Sequence, residues 1–99
     1  MEITQNKTGD TLTVAISGRL DTNTAPELQD ALVPAIQGMK QVDLDLAGLD
    51  YISSAGLRVL LFLHKQCTGA GAGLSIFNCN EMTMDVFRMT GFDKILHIQ

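Results

Sequence analysis

The chain has 99 residues, of which 45% are hydrophobic and 18% charged, with seven basic and eleven acidic side chains and a formal net charge of −4. Domains usually run to about 100–150 residues, so a single domain spanning 1–99 is expected, and the apolar content excludes a disordered chain. Direct nucleic-acid binding is also disfavoured, because phosphates repel an acidic surface and Lys7, Arg19, Lys40, Arg58, Lys65, Arg88 and Lys94 do not cluster.

Residues 1–5 lack the basic and apolar stretches of a signal peptide. The longest apolar run, Val59-Leu60-Leu61-Phe62-Leu63, falls far short of the roughly 20 residues of a membrane span. A soluble, cytoplasmic chain without membrane insertion is expected. Cys67 and Cys79 lack CxxC spacing and read as two buried, reduced thiols.

Taken in chain order, Glu2-Ile3-Thr4-Gln5 is a weak strand, and Thr8-Gly9-Asp10 turns it into a second one. There Leu12, Val14 and Ile16 alternate with Thr11, Thr13, Ala15 and Ser17, ending at Gly18. Thr24-Ala25-Pro26-Glu27 fits a capping box, with Leu28, Leu32 and Ile36 as the apolar stripe of a first helix. Pro34 should kink or interrupt that helix, and Gly38 should stop it. Val42, Leu44 and Leu46 alternate with Asp43 and Asp45 as a third strand. A second helix begins in Ser53-Ser54-Ala55-Gly56 and runs to about Thr68. Its centre is apolar nearly all round, so it is either deeply buried or offers an apolar surface to something else. Leu74-Ser75-Ile76-Phe77 is a fourth strand, Asn80 caps a third helix closed by Gly91, and Ile95-Leu96-His97-Ile98 is a last strand. The order β-β-α-β-α-β-α-β predicts an α/β fold, a mixed and mostly parallel sheet of four to five strands with about three main helices.

Most chemical motifs fail on inspection. The glycines of residues 69–73 leave a helix and enter a strand, the reverse of a phosphate-binding fingerprint. His64 and Cys67, even with Cys79 and His97, match no metal spacing, so no metal or cofactor is expected. The elbow G-x-S-x-G is absent, which leaves a serine hydrolase little support and makes a non-enzymatic protein the expectation. What remains is Asp50-Tyr51-Ile52-Ser53-Ser54-Ala55-Gly56-Leu57. One serine there suffices as a helix cap. The second, beside small Ala55 and Gly56, is left with an accessible hydroxyl. A phosphate on it would carry about −1.5 to −2 charge at the positive end of a helix. Asp21 and Asp50, with Asp45 as a further candidate, make this end acidic.

These residues carry a resemblance. Gly18-Arg19-Leu20-Asp21, Val42-Asp43-Leu44-Asp45-Leu46, Tyr51-Ile52-Ser53-Ser54-Ala55-Gly56-Leu57 and the stretch 84–92 together resemble a stand-alone STAS domain of the anti-sigma factor antagonist family, over nearly the whole chain. The resemblance implies a partner-switching module. Such a protein, unphosphorylated, binds an anti-sigma factor that is itself a serine kinase and so frees the sigma factor. The kinase then phosphorylates a serine at the start of the second helix, and a metal-dependent serine phosphatase reverses this. Aligned on Gly56-Leu57, the acceptor falls on Ser54, with Ser53 as second choice; Asp21 matches the family's acidic loop residue. Asp21, Thr22, Asp50, Ser53, Ser54, Ala55, Gly56, Leu57 and Arg58 are the implied partner-binding set. Ser53 and Ala55 depart from the aspartate and the serine or threonine that many members carry on either side of the acceptor. The alternative is a cytoplasmic STAS accessory subunit of an ABC-type membrane transport complex, docked on its ATPase.

Overall fold

Alternation of apolar and polar residues drives the first pairing. In the computed structural model, which describes all 99 residues, Glu2–Thr8 (β1) and Thr11–Leu20 (β2) form an antiparallel hairpin. Helix α1 (Ala25–Ile36) leads to β3 (Gln41–Ile52), α2 (Ser54–Gly69) to β4 (Gly73–Phe77), and α3 (Glu81–Thr90) through a short 3-10 turn to β5 (His97–Ile98). The five strands lie in the order β1-β2-β3-β4-β5, and every pairing after the hairpin is parallel. The expected mixed, mostly parallel sheet with three helices is what forms.

Each parallel crossover steps the same way along the sheet, so right-handed connections carry all three helices to one face. There Leu12, Val14, Ile16, Val42, Leu44, Leu46 and Ile76 meet Leu28, Leu32, Ile36, Leu60, Leu63 and Phe87 in one buried cluster. Thr13 and Ala15, on the opposite face, are exposed. On that polar face the Gln41 amide donates to Asp43 Oδ1 at 2.8 Å and to Ser75 Oγ at 3.1 Å, tying β3 to β4.

Several local expectations are corrected. Strand β2 passes through Gly18 to Leu20, and β3 extends to Ile52. Twelve residues of β3 run beside ten of β2 because two register shifts each place an extra residue on β3. Such bulges bend a strand and leave a backbone group unpaired. The Ala47 N–H is taken up by Asp45 Oδ1 at 3.0 Å, and the same oxygen accepts from the Asn78 amide. Asp45 therefore works within the strand. It lies seven residues before Ile52, roughly 23 Å of extended chain at about 3.3 Å per residue, and does not join the acidic end.

Pro34 does not interrupt α1, which ends two residues after it at Ile36. The N–H it lacks would have bonded the carbonyl of exposed Asp30, which water can satisfy. Cys67 is wholly buried in the core, whereas Cys79, in the loop between β4 and α3, is only half-buried. Burial pushes both thiols up. Asn80 caps α3 by accepting from Thr83 N–H at 2.8 Å, and Gly91 ends it in the left-handed region at φ 78°. Phe87 points into the core while Met82 and Met89 stay exposed on the outer side of α3. No helix is long and apolar enough to cross a membrane.

Candidate functional site

Parallel strands followed by helices bring the carboxyl ends of strands and the amino ends of helices to one side, where sites in open α/β sheets are built. Here the β2–α1 and β3–α2 connections meet there. Ser53 N–H donates to the Leu20 carbonyl at 2.9 Å, so the start of α2 is tied to the end of β2, one residue before Asp21. Gly56 tightens the join. A Cβ at that position would lie 2.8 Å from Leu20 Cγ, 2.9 Å from Ile52 Cγ1 and 2.9 Å from the Leu20 carbonyl oxygen. Only glycine lets the first turn of α2 sit this close.

The two serines divide their work. Ser53 is the N-cap, extended at φ −97° and ψ 176°, and its hydroxyl accepts from Gly56 N–H at 3.3 Å. Ser54 is the first helical residue and is exposed, and its hydroxyl makes no hydrogen bond within the chain. Ser53→Ala should therefore lower stability by about 1 kcal/mol, the usual worth of a cap, while Ser54→Ala should stay within about 0.5 kcal/mol of the parent. Urea unfolding of the two variants side by side measures the difference. Equal losses would contradict this division.

The loop ahead of α1 is organised by Asp21 rather than by a capping box. Asp21 Oδ1 accepts from Asn23 N–H at 3.0 Å and Thr24 N–H at 3.1 Å. Thr24 has a helical backbone at φ −97° and ψ −20°, not the extended one of a capping residue, and makes no side-chain cap bond. Its hydroxyl turns back to donate to the Arg19 carbonyl at 2.7 Å and accept from Asp21 N–H at 2.8 Å. Arg19 lies with Nε 3.7 Å from Asp21 Oδ2 and with its guanidinium 4.2 Å from the centre of the Tyr51 ring.

The Thr24 N–H, helped by the Asn23 N–H, the Thr24 hydroxyl and the Arg19 guanidinium, holds the Asp21 carboxyl below its ordinary value, against some desolvation. A depressed folded pKa means that the loop's stabilisation is complete above the unfolded value of about 3.9 and is lost as pH falls through the folded midpoint. Carbon-detected NMR titration should find Asp21 protonating below that of an unstructured aspartate. A midpoint at or above it would contradict the hydrogen-bonding assigned here.

Between α1 and α2 runs an open groove of about 520 Å³, lined from α1 and its loop by Thr22, Ala25, Pro26, Gln29 and Asp30, and from α2 by Ala55, Arg58, Val59 and Phe62. Of the expected set, Asp21, Ser53, Ser54 and exposed Asp50 gather at the ends of β2 and β3, and Thr22, Ala55 and Arg58 face the groove. Gly56 and Leu57 are buried beneath this surface. The apolar centre of α2 has a split fate: Leu57, Val59, Leu60 and Leu63 are buried, while Phe62 remains 36% exposed at the groove. Sequence reasoning missed Ala25, Pro26, Gln29, Asp30, Val59 and Phe62 as groove residues. Phe62, an aromatic in a helix with more apolar surface than one core contact needs, was the available signal. His64, Cys67, Cys79 and His97 do not assemble, and no group of three or more metal-ligating side chains exists.

Comparison with known proteins gives one answer. The family model described as "Mlab, STAS domain" matches residues 3–97. The chain is 33% identical over 86 residues to the anti-sigma-B factor antagonist of Staphylococcus epidermidis, covering 86% of this chain and 80% of that one. It is 29% identical over 98 residues to the anti-sigma-B factor antagonist of Bacillus subtilis, covering 99% and 88%. The solved structure of the Bacillus cell fate determinant SpoIIAA in its phosphorylated form shares the fold with a TM-score of 0.78 at 15% identity, over 99% of this chain and 91% of that one. Sheet order, helix placement and sequence agree, and the chain belongs to the STAS-domain family of anti-sigma factor antagonists.

Proposed function

We propose that this protein is a phosphorylation-controlled partner switch: unphosphorylated, it binds an anti-sigma factor that is also a serine kinase and releases the sigma factor; phosphorylated on Ser54, it lets go. A serine phosphatase returns it to the binding form. The observation that carries the reading is the division between the two serines. Ser53 is committed to the Gly56 N–H as cap, and Ser54 next to it is exposed with its hydroxyl free.

Asp21 and Thr22 follow β2 and Asp50 lies two residues before the end of β3, at the same end of the sheet as Ser54, and on this reading they belong to the same partner surface. The groove lined by Ala55, Arg58 and Phe62 extends that surface along α2. A phosphate of about −1.5 to −2 charge is compatible with the helix start in solution, but not with a partner packed over it. The fold thus tolerates the modification that the complex does not. A relative solved in a phosphorylated form supports the use of such chemistry within the fold.

The test is peptide mapping of the protein from its native cells under phosphatase inhibition, on the tryptic peptide of residues 41–58. One added phosphate on Ser54 is expected. Phosphate on Ser53 would keep the switch and overturn the acceptor. An unmodified peptide across growth and stress conditions, with an ATPase rather than a kinase co-purifying, would replace the switch with the transport-subunit reading.

A further inference from the structure

We infer that Arg58 is the intramolecular partner of a phosphate on Ser54, closing on it from one helical turn away and withdrawing from the groove as it does so. The inference rests on Ser54 being the acceptor and adds what the modified side chain does next.

Three observations carry it. Residues four apart in a helix share a face, and helical side chains lean toward the amino terminus, so Arg58 leans over Ser54 and not away from it. An acidic group placed before the basic one at this spacing is the favourable orientation. Arg58 is also uncommitted. The ion pairs of the chain join Arg19 to Asp21, Lys40 to Asp10 and Arg88 to Asp85, and none involves Arg58. Asp30 lines the same groove without pairing with it. Lastly, the other cation at this end is occupied, because Arg19 is held between the Asp21 carboxylate and the Tyr51 ring. A phosphate on Ser54 would find one free guanidinium on its own helix face, of the planar, forked shape that binds phosphate oxygens in pairs.

Arg58 is the only basic residue lining the groove, with Asp30 opposite. Unmodified, the protein presents that cation to a docking partner. Modified, it spends the cation on its own phosphate. Phosphorylation then changes the surface twice, adding negative charge at Ser54 and removing positive charge from the groove.

The experiment installs phosphoserine at position 54 during translation, so no kinase is needed, and follows it by ³¹P NMR titration in the parent and in Arg58→Gln. The helix terminus acts equally on both chains, so the difference between them isolates Arg58. The second phosphate pKa, near 6 when unpartnered, should lie about half a unit lower in the parent, and Arg58→Lys should recover part of that shift. The Arg58 Nε–H resonance should differ between the chain carrying phosphoserine at position 54 and the unmodified chain. Identical phosphate titrations in parent and Arg58→Gln would overturn the pairing. A chain found unphosphorylated in its native cells would instead remove the switch and leave the pairing standing, so the two failures are distinct.

Discussion

Phe87→Ala should remove about 3–5 kcal/mol of stability, the usual cost of deleting a fully enclosed aromatic side chain. Phe87 is 0% exposed and is the main residue by which α3 enters the core, since Met82 and Met89 on the same helix face solvent. A chain of this size has about 5–15 kcal/mol in total, so the variant should stand near the limit of folding. Thermal unfolding followed by circular dichroism should show a drop of more than about 12 °C. Phe87→Leu, which keeps most of the apolar volume, should lose much less. A loss below about 1 kcal/mol for the alanine variant would mean that α3 is not anchored as described.

Gly56→Ala sets two opposing effects against each other. Alanine is the better helix former by up to about 1 kcal/mol. Against this, its methyl group would need space already held by Leu20 Cγ, Ile52 Cγ1 and the Leu20 carbonyl, all within 2.9 Å. Overpacking of this kind costs about 1–3 kcal/mol, and the carbonyl belongs to backbone that is itself bonded to Ser53 N–H. The obstruction should win. Net destabilisation of about 1–2 kcal/mol is expected, with amide shifts concentrated at Leu20, Ile52 and Ser53. An unchanged or raised midpoint in urea would show that the close approach is not required. Because the same contact sets where Ser54 emerges, the switch proposed above expects this variant to bind its partner more weakly as well.

Much of this architecture was legible because burial follows simple periods. The alternations of residues 12–16 and 42–46 gave two central strands, and Asn80 and Gly91 bracketed the third helix. The second half of β3 was not legible for a physical reason. Each bulge inserts a residue, so the buried positions after Leu46 fall at Leu49 and Ile52, spaced by three, and the period of two disappears. Thr24 and Glu27 have the spacing of a capping box, yet Asp21 satisfies the loop amides first. At the candidate site, the paired serines are a local signal and do fall at the start of α2. The groove depends on α1 and α2 lying side by side, residues about thirty positions apart, and no local pattern announces it.

The sulfur chemistry of the chain follows from its packing. A buried thiol with a raised pKa holds little thiolate at neutral pH, and thiolate is the form that reacts with peroxide or alkylating agents. Met82 and Met89, 49% and 85% exposed on the far side of α3, are open to peroxide where wholly buried Cys67 is not. Sulfoxides formed there would sit in water and leave the interior untouched. An oxidising burst would thus mark the outside of α3 and leave the core unchanged.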